Sequence, residues 1–259
     1  MIIQDINAAA KNYQRIVCLV PSLSNLLYDL GLNEQLLAVT KFCIHPKSLT
    51  QQKHVIGGTK NLNLAKIASL KPDLIIANKE ENVKEQIEKL AKDFPVLLTD
   101  INSFDEAIDA IVNIGILTEA SSAADALTHE IKFSFSKLQP ITPIRAAYLI
   151  WKDPFMTVGS DTFIHDMMQK CGLINAFGDH LRYPEIQLEE LSHENIKVIL
   201  LSSEPYPFKK HHLEWINHKF PDKLILLADG EMFSWYGSKM LHMPEYFETL
   251  HAQIRNYVL

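Results

Sequence analysis

The sequence contains one pattern twice, at a constant separation of 124 positions. In each copy, two apolar residues three positions apart precede a continuous apolar run: Leu64, Ile67 and residues 74–77 in the first copy, and Leu188, Leu191 and residues 198–201 in the second. The spaced pair predicts a short docked helix, and the run predicts a strand that is buried on both faces. The repeat therefore indicates two similar α/β halves. A single domain of alternating strands and helices is the alternative.

Further apolar runs flank both copies and extend the repeat. Residues 16–20 and 144–151 open the two halves, and residues 96–98 and 224–227 follow the repeated segments. Amphipathic segments with helical spacing separate these runs. Strands that alternate with helices at this rhythm predict mostly parallel sheets. Two lobes of this kind predict a small-ligand site at the seam between them.

A stretch without glycine or proline, residues 118–138, lies between the halves. Its apolar residues recur at helical spacing, so it predicts a helix about 30 Å long, which Pro140 ends. We therefore expect an N-terminal α/β lobe at residues 1–117, a connecting helix at 118–139 and a C-terminal α/β lobe at 140–259.

Composition and charge limit the partners of the chain. Its 259 residues are 47% apolar and 22% charged, as in ordinary globular proteins. The net charge of −6, without a basic block, gives no support for a nucleic-acid partner. Residues 1–7 lack the features of a secretory signal, so we expect a cytoplasmic protein unless a leader has been removed. The cysteines, Cys18, Cys43 and Cys171, form no Cys-x-x-Cys pair and predict reduced, buried thiols.

Four segments carry a family resemblance: residues 15–22, 63–77, 154–159 and 171–177. They resemble the substrate-binding proteins of ABC importers, in the helical-backbone class that takes up cobalamin, ferric siderophores and haem. The resemblance implies a class III periplasmic-binding-protein fold: α/β, with two Rossmann-like lobes of mostly parallel sheet joined by one long helix. It implies a protein that captures a metal chelate between the lobes for an ABC permease. We expect a monomer without an intrinsic cofactor, whose ligand is cobalamin, a ferric siderophore or haem.

The resemblance also points to ligand-binding positions. Cobalamin-binding members line their cleft with aromatic residues, and Phe42 and Tyr183 fall at two such positions. Thr59 and Asn78 fall where those members have tryptophan, so half of the cobalamin pattern is present. Glu231 falls at an acidic position beside the cleft.

Four more aromatic residues lie near the same expected rim: Trp151, Phe155, Trp235 and Tyr236. Residues 233–236 hold three aromatics in four positions, between Gly230 and Gly237, so we expect at least one exposed ring that contacts the ligand. A small core beneath this loop is the alternative. The predicted ligand-binding set is Phe42, His45, Asn78, Trp151, Phe155, Tyr183, Glu231, Trp235 and Tyr236.

The histidines allow a metal-binding alternative. His45 lies in the loop that is expected to face the cleft, and His242 follows the aromatic loop. Together with Glu231 they would suit iron or haem, whereas His45 capping its proline-containing turn is the simpler interpretation. His211, His212 and His218 indicate a solvated face, since no carboxylate stands at ligand spacing. We predict no resident metal site.

One surface glutamate in each lobe docks the related proteins on arginines of the permease. Glu189 matches one of them, but the residue 124 positions earlier is Ala65. The resemblance therefore implies a permease partner with one of its two docking carboxylates absent.

The sequence lacks the common catalytic motifs, among them G-x-S-x-G, G-x-G-x-x-G, the P-loop and H-E-x-x-H. We therefore predict a binding protein without catalytic residues. Two alternatives remain: a protein that binds haem or a free metal ion, and a cytoplasmic enzyme that processes a tetrapyrrole or chelate.

Overall fold

The computed structural model describes residues 1–9 and 12–258, which divide into two units. Unit 1 comprises Met1–Ile101, Asp105–Ile131 and Tyr236–Lys239. Unit 2 comprises Asn102–Phe104, Lys132–Trp235 and Met240–Leu259. Each unit has its own parallel sheet with helices around it.

The sheet of unit 1 has five parallel strands in the order β3-β2-β1-β4-β5. The strands are β1 (Ile16–Cys18), β2 (Leu36–Val39), β3 (His54–Val55), β4 (Leu74–Asn78) and β5 (Val96–Thr99). Every residue of β4 is buried, as expected for a strand with parallel neighbours on both sides. The core beside this sheet contains Leu19, Ile56, Ile67 and Ile75.

The sheet of unit 2 has four parallel strands in the order β7-β6-β8-β9. The strands are β6 (Ile144–Leu149), β7 (Leu173–Asn175), β8 (Val198–Ser202) and β9 (Leu224–Ala228). All five residues of β8 are buried, and the adjoining core contains Leu149, Leu191, Ile199 and Phe208.

The two sheets confirm the repeat. Strands β4 and β8 begin and end 124 positions apart, and in both sheets they lie between the opening strand of the half and the strand that follows. The short helix before β4 is Leu64–Ser69, and the matching segment before β8, Leu188–Ser192, is a 3₁₀ helix. The predicted α/β fold with two mostly parallel sheets is therefore confirmed.

Ten α-helices are described within residues 1–9 and 12–258: α1 (Pro21–Asp29), α2 (Leu49–Gln52), α3 (Leu64–Ser69), α4 (Lys84–Leu90), α5 (Phe104–Leu117), α6 (Ser121–Ser136), α7 (Phe163–Lys170), α8 (Lys210–Lys219), α9 (Glu231–Ser234) and α10 (Met243–Val258). A second 3₁₀ helix spans Ser238–His242. Helix α4 begins after a turn in which Asn82 Oδ1 accepts from the Asn78 N–H and Asn78 Oδ1 accepts from the Glu80 N–H.

Helix α6 is shorter than the predicted 118–138. Glu119, at a positive φ of 56°, separates it from α5, and its final turn ends at Ser136. The helix belongs to unit 1 through Ile131 and to unit 2 from Lys132. The boundaries 1–117, 118–139 and 140–259 remain a prediction.

Among the described residues, no helix combines the length and apolar character needed to cross a bilayer.

Candidate functional site

Aromatic side chains stand where two neighbouring strands of unit 2 end. Trp151 follows β6 and is 39% exposed, and Tyr206 follows β8. The two rings meet edge to face, with centroids 5.6 Å apart. Because β6 and β8 are parallel neighbours, both residues belong to the carboxyl-terminal edge of the sheet, where ligands of open α/β sheets bind. We call Trp151, Tyr206, Phe208 and His212 the aromatic edge.

His212 holds the hydroxyl of Tyr206 in place. The backbone N–H of Lys209 donates to His212 Nδ1 at 3.0 Å, so in the neutral ring the proton is on Nε2. That atom lies 3.1 Å from Tyr206 Oη and 3.1 Å from His211 Nε2, and both can accept its hydrogen bond. Burial lowers the pKa of His212, and repulsion from the neighbouring His211, Lys152 and Lys209 side chains lowers it further. The contact with His212 Nε2 fixes the position of the Tyr206 hydroxyl at the carboxyl-terminal edge of the sheet.

The Phe155 side chain packs against Trp215 and the core of unit 2. Its ring stacks on Trp215 of α8, with centroids 6.3 Å apart and planes 7° from parallel, and it packs against the core of unit 2. One face of Phe155 is therefore covered within the unit. Trp215 itself is 41% exposed.

The segment that carries Tyr183 pairs with the segment after β6. Met156 forms a bridge with Glu185, Thr157 N–H donates to Pro184 O at 3.0 Å, and Gly159 N–H donates to Arg182 O at 2.7 Å. A Cβ at Gly159 would lie 2.5 Å from His180 O, so the two segments can come this close only with glycine at position 159. This pairing brings the half-buried Tyr183 close to the end of β6. The guanidinium of Arg182 lies 5.7 Å from the Tyr183 ring.

The aromatic loop 233–236 is buried, so the expectation of an exposed ring there is wrong. Phe233 is fully buried against Tyr148 and Phe247, and Trp235 and Tyr236 are 8% and 5% exposed. The alternative, a small core beneath the loop, describes these rings. Large apolar rings gain most by leaving water when neighbouring helices and strands can cover them.

A glutamate that the sequence analysis did not single out, Glu204, anchors Trp235. Its Oε1 accepts from Trp235 Nε1 at 2.9 Å and from Ser234 Oγ at 2.6 Å. Burial raises the pKa of Glu204, and the carboxylates of Glu231 and Asp229 raise it further, against the two hydrogen bonds. Glu231 itself is half-buried in the first turn of α9.

In unit 1, Phe42 is 49% exposed in the loop after β2, and the ammonium group of Lys41 lies 5.0 Å from its ring centroid. His45 is half-buried in the same loop. Asn78 is 1% exposed, and its amide is occupied: it donates to Thr99 Oγ1 and accepts from the N–H groups of Glu80 and Glu81. The Asn78 side chain thus shapes the turn after β4.

The predicted metal ligands belong to different units, His45 to unit 1 and the exposed His242 to unit 2. Within the described part of the chain, no three histidine, cysteine or acidic side chains form a group that could hold a metal ion. The three thiols are buried and unbridged, and burial raises the pKa of Cys18 to about 12.

The two positions predicted to dock on a permease are exposed. Glu189 occupies the first turn of the 3₁₀ helix before β8, and Ala65 occupies the first turn of α3 before β4. The repeat thus gives both residues the same place in their units.

Sequence reasoning missed Tyr206, Trp215 and Glu204. Tyr206 had a usable signal, since it stands between Pro205 and Pro207, five positions after the apolar run 198–201. The stacking of Trp215 on Phe155 had none, because sequence spacing does not show which helix face meets a loop. Of the histidines interpreted as a solvated face, His211 and His218 are exposed, while His212 is half-buried.

Residues 16–226 match the sequence model of the family described as periplasmic binding protein. The vitamin B12-binding protein of Vibrio cholerae serotype O1 is 26% identical over 195 residues, which is 73% of this chain and 70% of that protein. A possible iron-binding, periplasmic solute-binding protein from Staphylococcus epidermidis superposes with a TM-score of 0.78 at 25% identity, covering 94% of this chain and 99% of its own. A periplasmic haem-binding protein from Roseiflexus sp. RS-1 has the same fold, with a TM-score of 0.79 at 17% identity over 97% and 100% of the two chains.

Proposed function

The chain belongs to the periplasmic binding protein family, and on this premise we propose that it captures a metal chelate, a corrinoid or a ferric siderophore, for uptake through an ABC permease. The family is made up of binding proteins, which supports our proposal that the ligand is released unchanged. Haem is the alternative ligand.

The observation that carries this proposal is the exposure of large aromatic rings at strand ends. Phe42 follows β2 in unit 1 and Trp151 follows β6 in unit 2, and both expose more than a third of their surface. Exposed rings at the carboxyl-terminal edge of a parallel sheet suit a bulky ligand with flat apolar faces. Scattered exposed apolar residues need no explanation, but a paired Trp151 and Tyr206 at this edge form a surface.

We divide the predicted residues by what their side chains can offer. Phe42, Trp151 and Tyr183, with Tyr206 added, would stack on the chelate. His45 and Glu231 would supply polar contacts. Phe155, Asn78, Trp235 and Tyr236 have side chains that are buried or engaged with neighbours, so we assign them a structural part in the site and no direct stacking on the chelate.

Calorimetric titration of the purified chain with cyanocobalamin, a ferric hydroxamate siderophore and haemin tests the proposal. We expect saturable binding of one of the first two, and about tenfold weaker binding by Trp151→Ala, because a lost aromatic contact of this size is worth roughly 1.4 kcal/mol. Phe133→Ala is the control: it removes another exposed aromatic ring, from α6, that is outside the predicted ligand-binding set, and it should leave the affinity unchanged.

Three outcomes decide between the alternatives. Saturable binding of haemin alone would replace the proposed ligand by haem. Chemical change of the recovered chelate would indicate an enzyme. No binding of any of the three compounds at micromolar concentration would contradict the proposal.

A further inference from the structure

Unit 2 contains a cavity of about 440 Å³. Its walls come from the first residue of α5, the end of α6 and the segment after it, the end of α7, and α10. The lining residues used below are Phe104, Lys132, Phe135, Ile141, Lys170 and His251. The volume lies within the range of small-molecule sites, which is about 300–1,000 Å³.

The cavity lies at the opposite edge of the sheet from the aromatic edge. Ile141 stands just before β6, and Gly172, also in the wall, stands directly before β7. Because β6 and β7 are parallel, both mark the amino-terminal edge. The aromatic edge follows the carboxyl-terminal ends of β6 and β8. The cavity is therefore separate from the proposed chelate site of this unit.

The charges and walls of the cavity suit an amphipathic anion. Phe104 and Phe135 meet edge to face with centroids 4.8 Å apart and, with Ile141, form apolar walls. Lys132 and Lys170 line the same space, and the Lys170 ammonium lies 4.8 Å from the Phe104 ring centroid. No aspartate or glutamate is among the described residues that line it. A carboxylate on an apolar body would satisfy both features.

His251 adds an unsatisfied hydrogen-bonding atom. It is 1% exposed, and its Nε2 lies 2.7 Å from the carbonyl oxygen of Cys171. A carbonyl only accepts, so Nε2 carries the proton and Nδ1 of the neutral ring presents a lone pair. Nδ1 is buried, and within the described residues no group forms a hydrogen bond to it. A buried polar atom without a partner costs free energy, which a donor on a ligand would recover.

We propose that this cavity binds a small aromatic acid, with its carboxylate at Lys132 and Lys170 and a hydroxyl group that donates to His251 Nδ1. The apolar walls hold the ring. The site is independent of chelate binding.

Two probes, benzoate and 4-hydroxybenzoate, test the site by calorimetry and by side-chain NMR of the histidines. The wild type should bind both, and should bind the hydroxylated acid more tightly. Lys132→Met and Lys170→Met should each weaken both acids about tenfold, since a charge-assisted hydrogen bond is lost. Lys197→Met is the matched control, because Lys197 is an exposed lysine of unit 2 that does not line the cavity.

His251→Gln tests the hydroxyl contact, because Gln can keep a donor near the Cys171 carbonyl while it removes the Nδ1 acceptor. It should retain benzoate binding and lose the preference for 4-hydroxybenzoate. If this variant does not fold, the same preference and a shifted His251 resonance in the wild type decide the point.

Several results would overturn the site. These are no saturable binding of either acid by the wild type at millimolar concentration, equal binding by the lysine variants, or no preference for the hydroxyl group. Trp151→Ala should bind both acids normally, so failure of the chelate proposal and failure of this one are distinguishable.

Discussion

At the residue scale, Glu204 links the end of β8 to the loop after β9. One carboxylate oxygen accepts from both Ser234 Oγ and Trp235 Nε1. The backbone of Gly230 lies close to the Glu204 side chain: a Cβ on Gly230 would lie 2.4 Å from Glu204 Cγ. This acceptor stabilises the loop because, without it, both donors would be left without this hydrogen bond, which costs free energy at a buried site.

We expect Glu204→Ala to lower the free energy of unfolding by about 2–3 kcal/mol, because it removes the acceptor of two hydrogen bonds. Glu204→Gln keeps a carbonyl oxygen and should cost only about 1 kcal/mol. Urea unfolding followed by tryptophan fluorescence measures both. Equal losses for the two variants would contradict the role given to Oε1.

The same residue predicts a pH dependence. Burial raises the pKa of Glu204 in the folded chain. The stabilisation by Glu204 is therefore fully present below the ordinary glutamate pKa of about 4.3. It is lost as the pH rises through the raised pKa of the folded chain. The stability of the wild type relative to Glu204→Gln should therefore fall as the pH rises from 4 and level off above the raised pKa. Urea titrations of both proteins across this interval measure the difference, and a difference that grows with pH would refute the assignment.

At the element scale, two helices end in the same way. Gly31 follows the C-cap of α1 at φ 80°, and Gly172 follows the C-cap of α7 at φ 78°. Left-handed backbone favours glycine at both positions. Their surroundings differ, since a Cβ at Gly31 would meet nothing within 4 Å, whereas one at Gly172 would lie 2.8 Å from Ile141 Cγ1.

Gly31→Ala should cost about 1 kcal/mol from backbone strain alone, and Gly172→Ala should cost about 1–3 kcal/mol more, because Ile141 must move. Differential scanning calorimetry of the two variants separates strain from collision, with Gly31→Ala as the control. Equal shifts in melting temperature would contradict this prediction, because they would show that Ile141 moves away from the new Cβ without a cost in stability.

At the scale of the whole molecule, the duplication assigns equivalent surface positions to the two units. Glu189 and Ala65 both lie in the first turn of the helix before the central buried strand. We propose that Glu189 docks on an arginine of an ABC permease and that Ala65 leaves the second contact unmade.

Ala65→Glu should then strengthen binding to the permease severalfold, and Glu189→Ala should weaken it, with larger effects at low salt, since exposed charges act mainly through screened attraction. Biolayer interferometry with the permease in nanodiscs, at two salt concentrations, measures both. Glu190→Ala, a neighbouring carboxylate, is the control. Unchanged affinity for both docking variants would remove Glu189 from the interface.

The sequence alone determined the fold, because a buried parallel strand needs a continuous apolar run and a docked helix needs apolar residues at helical spacing. Copies of both elements 124 positions apart therefore predicted two similar α/β halves with mostly parallel sheets, and the structure has both sheets. The family resemblance pointed to Phe42, and Trp151 was expected near the same rim; both rings are exposed in the structure.

The tertiary structure decided how the remaining side chains are used. In the folded chain the rings of loop 233–236 are buried, Trp215 covers one face of Phe155, and Glu204 accepts a hydrogen bond from Trp235. Each of these outcomes depends on contacts between residues far apart in the chain, and the spacing along a sequence does not specify which distant surface will remove a ring from water.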